Sequence, residues 1–418
     1  MGFLNGLRLS ARRLVRTRAF RNLILIFAVY TFLDALRIQR IVTNAPRHDP
    51  KRPRKLEKVY IAGMHYNSAG LIKNHWNKAV LDLVDALGRE NVFVSVYESG
   101  SWDDSKKWLA ELDDELWKRG VRRNVVLDER THQQEVEEVP AEGEEREGWI
   151  VTPRGKKEMR RIPFLAKLRN LTLKDLWALS EKGESFDKIL FLNDVVFTTE
   201  DVLALLDTNR GLYAAACSLD FSQPPYYYDT FALRDTAGQA HLMQTWPYFR
   251  SQASRDALMA YSDAVPVRSC WNGIVAMPAA PFLAPESKRL KFRAAPDSLA
   301  EKKHLEASEC CLIHIDNPLS EPLGVFLNPR VRVAYDGAAY EATHPADPSD
   351  SWLSVWRIVV GVWESRLRRW FSTDGVKEWV VKKRVGDWEA MERGNVEKGV
   401  ECLINEGQVL VYNGWAHV

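Results

Sequence analysis

Short apolar runs alternate along the first third of the chain with segments that are apolar on one helical face. The run 59–63 precedes apolar residues at 76, 80, 83, 84 and 87, a spacing typical of an amphipathic helix that Gly88 ends. A second run covers 91–97, a helical segment follows over 101–120, and a third run covers 125–127. This order of strands and helices predicts a parallel sheet with right-handed crossovers, and hence an α/β fold.

The stretch 189–197, ILFLNDVVF, is the most informative of these runs. It predicts a strand buried on both faces that ends in Asn193 and Asp194. A carboxylate at the end of a buried strand is costly to desolvate unless something pairs with it, and a divalent cation is the simplest partner. The alternative is a helix N-cap. Thr198 and Asp201 already supply a capping-box-like start for the helix at 200–206, so we expect Asp194 to bind metal.

The N-terminus combines a basic flank with an apolar run. Residues 1–21 are rich in arginine, and 23–33 are apolar without interruption. This pattern predicts a cytosolic tail over 1–21, a signal-anchor transmembrane helix over 22–41 and a Pro-rich, basic stem over 42–58. The positive-inside rule then places the rest of the chain in the lumen, as a single-pass type II membrane protein. An amphipathic presequence and a peripheral helix are the alternatives.

The remaining boundaries follow from changes in composition. We expect a catalytic body over 59–347, interrupted by an acidic, solvated insertion loop over 128–147. A Trp-rich helical extension occupies 348–418. Its residues Trp352, Trp356, Trp363 and Trp370 are spaced four, seven and seven apart and so share one helical face. We expect this face to pack against the body, and contact with the membrane surface is the alternative.

Charge and cysteine content exclude some functions. The 58 basic and 56 acidic residues of the 418-residue chain give a net charge of +2, so no bulk attraction to nucleic acid is expected. The five cysteines show no metal-ligand spacing. One or two disulfides are compatible with an oxidising compartment.

Polar residues collect where the predicted parallel strands end. Asn67 follows the first strand and Glu98 follows the second, while Arg169 and Asn170 lie on the helix before the strand that ends in Asp194. Ligands of open parallel sheets bind at this edge. Glu98 suits the ribose hydroxyls of a nucleotide, while Arg169 and a metal ion on Asp194 suit its diphosphate. Taken singly, each residue has a simpler explanation: Arg169 could be a solvated residue on a helix, and Glu98 could be a turn residue.

The order Arg-Asn, apolar strand, acid resembles the GT-A nucleotide-sugar transferases. More closely, the segments FLNDVVFTTEDVLALL, CSLDF, YYYDTFALRD, SCWNGIVAM, SEC and NPRVRVAYD resemble the fungal α-1,3-mannosyltransferases of the cryptococcal capsule type, glycosyltransferase family 69. The resemblance covers about 59–336. It implies a GT-A-like fold, GDP-mannose as the donor, an α-mannoside acceptor, an α-1,3 linkage formed with retention, Mn²⁺ or Mg²⁺ as the cofactor, and a Golgi location.

One departure concerns the metal motif. GT-A enzymes often carry two acids there, whereas this chain has Asn193 followed by Asp194. The metal would therefore depend on Asp194, with Asn193 helping only through its carbonyl and a distant residue, His314 or Glu309, completing the site. His314 lies in an apolar setting, for which a core histidine is the alternative.

Three further segments bear on the sugar. Asp229 and the pair Arg234-Asp235 lie in an aromatic segment, where Asp229 suits sugar hydroxyls and Arg234 suits phosphate or an ion pair. Trp271, Asn272 and Gly273 suit stacking, hydroxyl binding and close backbone approach, and a tight turn with a core Trp is the alternative. Glu309 lies where GT-A enzymes often place a late carboxylate near the reacting carbon, so Asp229 and Glu309 are the catalytic candidates. A non-catalytic carbohydrate-binding protein, or a transferase for another sugar such as xylose, remains an alternative function.

Overall fold

The computed structural model describes residues 17–46, 56–347 and 350–418. Most of the predicted tail and much of the stem therefore lie outside the described residues. The strands are β1 Val59–His65, β2 Val92–Ser99, β3 Arg122–Asp128, β4 Trp149–Val151, β5 Lys157–Met159, β6 Lys188–Leu192, β7 Ala215–Gln223, β8 Tyr226–Tyr227, β9 Arg234–Asp235, β10 Val265–Ser269, β11 Ile274–Pro278, β12 Glu306–Ala307, β13 Val325–Ala334, β14 Leu403–Ile404, β15 Gln408–Leu410 and β16 Trp415–His417.

The helices cover both faces of the main sheet and form the N-terminal and C-terminal extensions. They are α1 Arg18–Asn44, α2 Asn77–Leu87, α3 Ser105–Lys118, α4 His132–Glu137, α5 Arg161–Thr172, α6 Lys174–Glu181, α7 Thr199–Leu206, α8 Gln252–Met259, α9 Asp297–Lys303, α10 Glu309–Asp316, α11 Ser320–Leu323, α12 Gly337–Thr343, α13 Val355–Phe371 and α14 Gly375–Glu389. A turn of α-helix, Ala69–Leu71, and a π-helical turn, Ile72–Trp76, lead into α2.

A ten-stranded sheet forms the centre of the molecule, in the order β3-β2-β1-β6-β11-β7-β13-β10-β9, with β8 paired to β7. The first four strands are parallel, β11 runs antiparallel between β6 and β7, and β13 is parallel to β7. The expected α/β fold, with a central and largely parallel sheet flanked by helices, is confirmed. The carboxyl ends of β1, β2, β6 and β7 and the start of β11 consequently meet at one edge.

The end of β6 is built as the sequence predicted. All five residues of β6 are buried. Thr198 and Asp201 form a capping box at the start of α7, each side chain bonding the other residue's main-chain N–H. Asp194 therefore has no capping role, and its carboxylate is free for other partners at the sheet edge.

Helix α1 is longer than the predicted 22–41 and enters the stem. It is the candidate membrane span, and its exposed apolar run is consistent with membrane association. Its C-terminal half is different, because Ala35, Ile38 and Val42 are buried against the body. The anchor and the folded body are thus in direct contact.

The tryptophan face of α13 does not pack against the body as expected. Trp352, before the helix, is buried, but Trp356 and Trp370 are 73% and 64% exposed. The residues of α13 that are buried instead are Ile358, Gly361, Val362 and Ser365. Trp363 contacts Phe27 of α1, with 4.9 Å between ring centroids, so the tryptophan face adjoins the apolar surface of α1.

The acidic insertion and the C-terminal extension are also more ordered than expected. Within 128–147 a capping box at Thr131 starts α4, and the buried His132 stacks on Tyr66. The extension is not wholly helical, because its last residues form β14, β15 and β16. Two disulfides are present, Cys217–Cys270 and Cys311–Cys402, a number within the one or two that the sequence allowed.

Candidate active site

Four carboxylates approach the edge where the strands end. Asp194 follows β6, Asp220 lies in β7, Asp229 follows β8, and Glu309 begins α10. Asp220 and Glu309 are buried, and the other two are half-buried. Because β11 runs antiparallel to its neighbours, the preceding residues Asn272 and Gly273 arrive at the same edge. The fold therefore gathers acids from segments more than one hundred residues apart.

Asp220 lies next to Asp229 in this cluster, and the sequence analysis did not single it out. Its Oδ1 accepts hydrogen bonds from Asn272 Nδ2 (2.8 Å) and from the main-chain N–H of Asp229 (3.2 Å), and its Oδ2 accepts one from the hydroxyl of Tyr335 (3.1 Å). Burial, together with the negative charge of Asp229, raises the pKa of Asp220 to about 6. The signal was present as an acid inside the apolar strand CSLDF.

Asp229 and Asn272 are held by main-chain contacts beside Asp220. Asp229 Oδ1 accepts from the N–H groups of Phe231 (3.0 Å) and Ala232 (3.1 Å). Burial raises the pKa of Asp229, and the charge of Glu309 adds to the effect. Asn272 Nδ2 also donates to the carbonyl of Asp229 (3.2 Å). Asn272 thus fixes two acids relative to each other.

Gly273 is required by the close approach of the chain at this turn. Its φ is +91°, and a Cβ atom placed there would lie 2.5 Å from Val333 Cγ2 and 3.4 Å from Asp220 Cβ. Its carbonyl also accepts the main-chain N–H of Asn193 (3.0 Å). The turn before β11 is therefore packed against Asp220, with no room for a side chain at position 273.

Arg169 supplies positive charge within the cluster. Its Nε donates to Glu309 Oε1 at 2.9 Å, and its guanidinium lies over the ring of Trp271, 4.3 Å from the centroid. Trp271 Nε1 in turn donates to Asn193 Oδ1 at 3.1 Å. Trp271 is 2% exposed. It acts as a buried support for Arg169, which is the core alternative that the sequence left open.

Arg161 is a second cation that the sequence analysis missed. Its Nη1 donates to Gln408 Oε1 at 2.7 Å, and its guanidinium lies 4.3 Å from the ring centroid of Trp415. Burial lowers its pKa, while Glu309, Tyr228 and Asp229 act in the opposite direction. A cation at the first residue of a helix is unfavourable for the helix dipole, so its position in α5 was the available signal.

Asn67 and Glu98 meet at the ends of β1 and β2, as predicted. The main-chain N–H of Asn67 donates to Ser101 Oγ (2.8 Å), and Asn67 Oδ1 accepts from the N–H of Trp102 (2.9 Å). Glu98 Oε1 accepts from the N–H of Ser101. Burial raises the pKa of Glu98, and among the described residues its buried Oε2 has no partner. This oxygen is therefore an unsatisfied acceptor on a side chain that is 0% exposed.

Ser68 connects these loops with the carboxylate cluster. Its hydroxyl donates to Asp194 Oδ2 at 2.8 Å. Burial raises the pKa of Asp194, against the Ser68 hydrogen bond and the charge of Arg169. Four acids beside two arginines leave an excess of negative charge, and carboxylate oxygens are the ligands that Mn²⁺ and Mg²⁺ prefer. Asp194 is therefore a candidate ligand for a divalent cation, and this role stays a prediction.

Two other candidate residues are occupied in holding the fold. Asn170 pairs with the main chain of Phe292, donating to its carbonyl at 2.8 Å and accepting its N–H at 3.0 Å. His314 Nε2 lies 2.6 Å from the carbonyl of Cys270, beside the Cys217–Cys270 disulfide, and burial lowers its pKa to about 4. These contacts correspond to a core histidine, the alternative that the sequence left open, and a role of His314 in metal binding stays a prediction.

Arg234 and Asp235 likewise bond to the main chain. Arg234 donates to four carbonyls, those of Phe231, Leu233, Glu401 and Cys402. Asp235 accepts from three N–H groups, those of Ala237, Gln239 and Ser251. Within the described part of the chain, neither forms a hydrogen bond with the four carboxylates. Their assignment to a sugar site stays a prediction.

Comparison with known proteins agrees with this chemistry. The family model described as Cryptococcal mannosyltransferase 1 matches residues 58–316, which include every residue of the carboxylate cluster. A search of curated protein sequences gives no match.

Several solved structures show a distant likeness. The mannosyltransferase PcManGT from Pyrobaculum calidifontis, in complex with GDP-Man and Mn²⁺, is 11% identical over 88% of this chain and 91% of its own, with a TM-score of 0.36. TarS of S. aureus is 13% identical over 82% and 50%, with a TM-score of 0.35. Glucosyl-3-phosphoglycerate synthase of M. tuberculosis is 14% identical over 81% and 85%, with a TM-score of 0.30. Similarity at these TM-scores is too low to assign a fold family or a ligand to this chain.

The family match covers more than half of the chain and contains the four carboxylates, Arg169 and the strand ends that hold them. The chain belongs to the cryptococcal mannosyltransferase 1 family and is a glycosyltransferase.

Proposed function

We propose that this protein transfers mannose from GDP-mannose to an α-mannoside, forming an α-1,3 linkage with retention of configuration. The observation that carries the proposal is the cluster of buried and half-buried carboxylates, Asp194, Asp220, Asp229 and Glu309, with Arg169 among them, next to the Glu98 loop. A nucleoside diphosphate sugar needs a hydroxyl acceptor for its ribose and positive charge for its diphosphate. It also needs carboxylates near the sugar carbon that becomes electron-poor in the transition state.

The nucleoside end of the donor would bind at Asn67 and Glu98. The unpartnered Oε2 of Glu98 accepts a ribose hydroxyl, and the buried setting strengthens such a bond. Asn67 fixes the loop through Ser101 and Trp102. Arg161 and Arg169 face the diphosphate from the two ends of α5. Their charges favour the departing nucleoside diphosphate over the bound donor, because negative charge accumulates on it as the glycosidic bond breaks.

Asp229 and Glu309 would act on the sugar. Asp229 is held by two main-chain N–H groups and Glu309 by Arg169, so neither reorganises during the reaction. Fixed negative charge near the anomeric carbon stabilises an oxocarbenium-like transition state. Asp194 would hold a divalent cation, which when bound neutralises charge on the diphosphate. Asp220 and Asn272 would position Asp229 through their hydrogen bonds to its main chain.

The same proposal places the protein in the Golgi as a type II membrane protein with the body in the lumen, in the synthesis of a fungal glycan or capsule polysaccharide. The basic flank before α1 supports this orientation. The two disulfides support a lumenal body, since such bonds persist in the secretory pathway. The exposed tryptophan face of α13 lies beside α1 and fits a surface close to the membrane.

The test is the Asp194→Asn variant of the purified full chain. Asparagine keeps the shape and removes the charge, so GDP affinity in Mn²⁺ should fall to its value in chelator, and mannose transfer should fall roughly a hundredfold or more. Asp336→Asn is the matched control. Asp336 is an N-cap that accepts from Ala339 N–H, a role that asparagine fills equally well.

A donor panel completes the experiment. GDP-mannose, UDP-xylose and UDP-GlcNAc are offered with an α-mannoside, and the released nucleoside diphosphate is measured. Release from a UDP-sugar alone would replace GDP-mannose as the donor. A wild-type protein whose GDP affinity is the same in Mn²⁺ and in chelator would remove Asp194 as a metal ligand.

A further inference from the structure

The last residues of the chain form a hairpin that lies outside the matched family region. Strands β15 and β16 pair antiparallel around a tight turn in which the N–H of Val411 donates to the carbonyl of Gly414 (3.1 Å). The base of the hairpin is fixed, because Val409 is buried and pairs with Arg160 at the start of α5. The Cys311–Cys402 disulfide joins the preceding segment to α10, which carries Glu309. The hairpin is thus anchored to the candidate active site.

The tip of the hairpin contacts the nucleoside loops. Asn413 Oδ1 accepts hydrogen bonds from the hydroxyl of Tyr66 (2.8 Å) and from Asn67 Nδ2 (3.2 Å). The ring of Tyr412 stacks on that of Trp102, with 5.3 Å between centroids and 10° between planes. These contacts join residues about 310 to 350 positions apart. The tip therefore adds two side chains to the loops that end β1 and β2.

The flank of the hairpin contacts the cation on the other side of the site. Trp415 covers the guanidinium of Arg161, and Gln408 Oε1 accepts a hydrogen bond from it. One hairpin thus touches both the residues proposed to hold the nucleoside and a residue proposed to face the diphosphate. A donor lying between these two groups would run along the hairpin.

The Trp102–Tyr412 pair has the character of a stacking surface for a base. Trp102 remains 46% exposed and Tyr412 55% exposed although they stack on each other. Flat, exposed rings next to a loop that carries an unpartnered buried acceptor, Glu98 Oε2, suit a nucleobase with its ribose attached. Bases stack on aromatic side chains through their π-faces.

We propose that Trp102 and Tyr412 form the platform on which the base of the nucleoside diphosphate stacks, so that the C-terminal hairpin completes the donor site. This inference rests on the proposed function, since it needs a nucleotide donor. Asn413 is a positioning residue in this arrangement, holding the tip against Tyr66 and Asn67. Arg161 and Gln408 set the same hairpin against the diphosphate end.

Titration of the full chain with two probes in Mn²⁺ tests the platform. GDP carries a base and inorganic pyrophosphate does not, so loss of a stacking ring should weaken the first and spare the second. We expect Tyr412→Ala and Trp102→Ala each to weaken GDP binding about tenfold with pyrophosphate affinity unchanged. Tyr412→Phe and Trp102→Phe keep a ring and should retain GDP affinity within about twofold.

Trp117→Ala is the matched control. Trp117 lies on α3 and is 65% exposed, but it has no ring partner in the platform, so its loss should leave both affinities unchanged. Equal weakening of GDP and pyrophosphate by Tyr412→Ala would show that the hairpin acts through the fold or through Arg161, and would overturn the base platform. Unchanged GDP binding would overturn it as well. A wild-type protein that binds pyrophosphate but no nucleoside diphosphate would instead refute the proposed donor.

Discussion

Replacing Asp220 with asparagine should make the folded protein more stable at neutral pH. The carboxylate of Asp220 is fully buried, and its neighbour Asp229 is also negative. Together these effects raise its pKa from 3.8 to about 6. A raised carboxyl pKa means that the folded state binds the proton more tightly than the unfolded state. The ionised form therefore destabilises the fold, fully so above pH 6 and not at all below about pH 4.

The size of the effect follows from the shift. About two pKa units correspond to roughly 3 kcal/mol of unfolding free energy at neutral pH. The amide causes little loss, because its Oδ1 can still accept from Asn272 and Asp229. Its Nδ2 can donate to Tyr335, whose hydroxyl turns from donor to acceptor. We expect a net gain of about 2 kcal/mol at pH 7.5 that disappears as the pH falls to 4.

Urea unfolding of the full chain in chelator, at pH 7.5 and pH 4, measures both values. Asp235→Asn is the control. It is buried in the neighbouring segment, and both of its oxygens accept main-chain N–H groups that cannot reverse their role. The NH₂ group of an asparagine at position 235 would face the N–H of Ser251, and two donors cannot bond each other. The free energy of unfolding should therefore fall by about 1–3 kcal/mol at either pH.

The reasoning would be refuted if Asp220→Asn lowered stability at pH 7.5 as Asp235→Asn does, or if its effect were the same at both pH values. Mannose transfer supplies the complementary measurement. A residue retained against its cost to stability should be needed for function, so the more stable Asp220→Asn variant should transfer mannose more slowly.

Two further predictions concern the turn before β11 and the orientation of the chain. Gly273→Ala should lower the free energy of unfolding by about 3 kcal/mol, because φ at this position is left-handed and the new Cβ would overlap Val333. The control Gly120→Ala, where φ is +71° and the space around the Cβ is open, should lower it by about 1 kcal/mol in the same urea titration. In sealed microsomes a C-terminal tag on the full chain should resist protease until detergent is added, and digestion without detergent would contradict the lumenal orientation.

The sequence predicted the positions of those candidate residues that follow directly from strand burial. Asp194 was expected at the sheet edge because a carboxylate ends a fully apolar run, and Asn67 and Glu98 were expected there because parallel strands end at one edge. The same logic applied to Asp220 would have found it, since an acid inside an apolar strand requires an equally specific partner.

Other residues depended on contacts that no local pattern contains. Arg169 and Asn170 are adjacent, but neighbours on a helix point about 100° apart, and only Arg169 faces the acids while Asn170 bonds Phe292. The hairpin tip at Asn413 meets Asn67 across 346 positions. The exposed face of α13 was assigned to the body because a Trp stripe usually marks a core, whereas here it adjoins α1.

Asn193 stands where the sequence comparison led us to expect a second acid, and its amide has a structural role. Its Oδ1 accepts a hydrogen bond from Nε1 of Trp271, and the ring of Trp271 packs against the guanidinium of Arg169. An aspartate at this position could accept the same N–H, but it would add a further negative charge to the acids already at this edge. With Asn193 neutral, the additional negative charge comes from Asp220, which β7 brings to the same edge and which Asn272 holds from the start of β11. We infer that Asp220 supplies at this edge the negative charge that Asn193 lacks, while Arg169 pairs with Glu309.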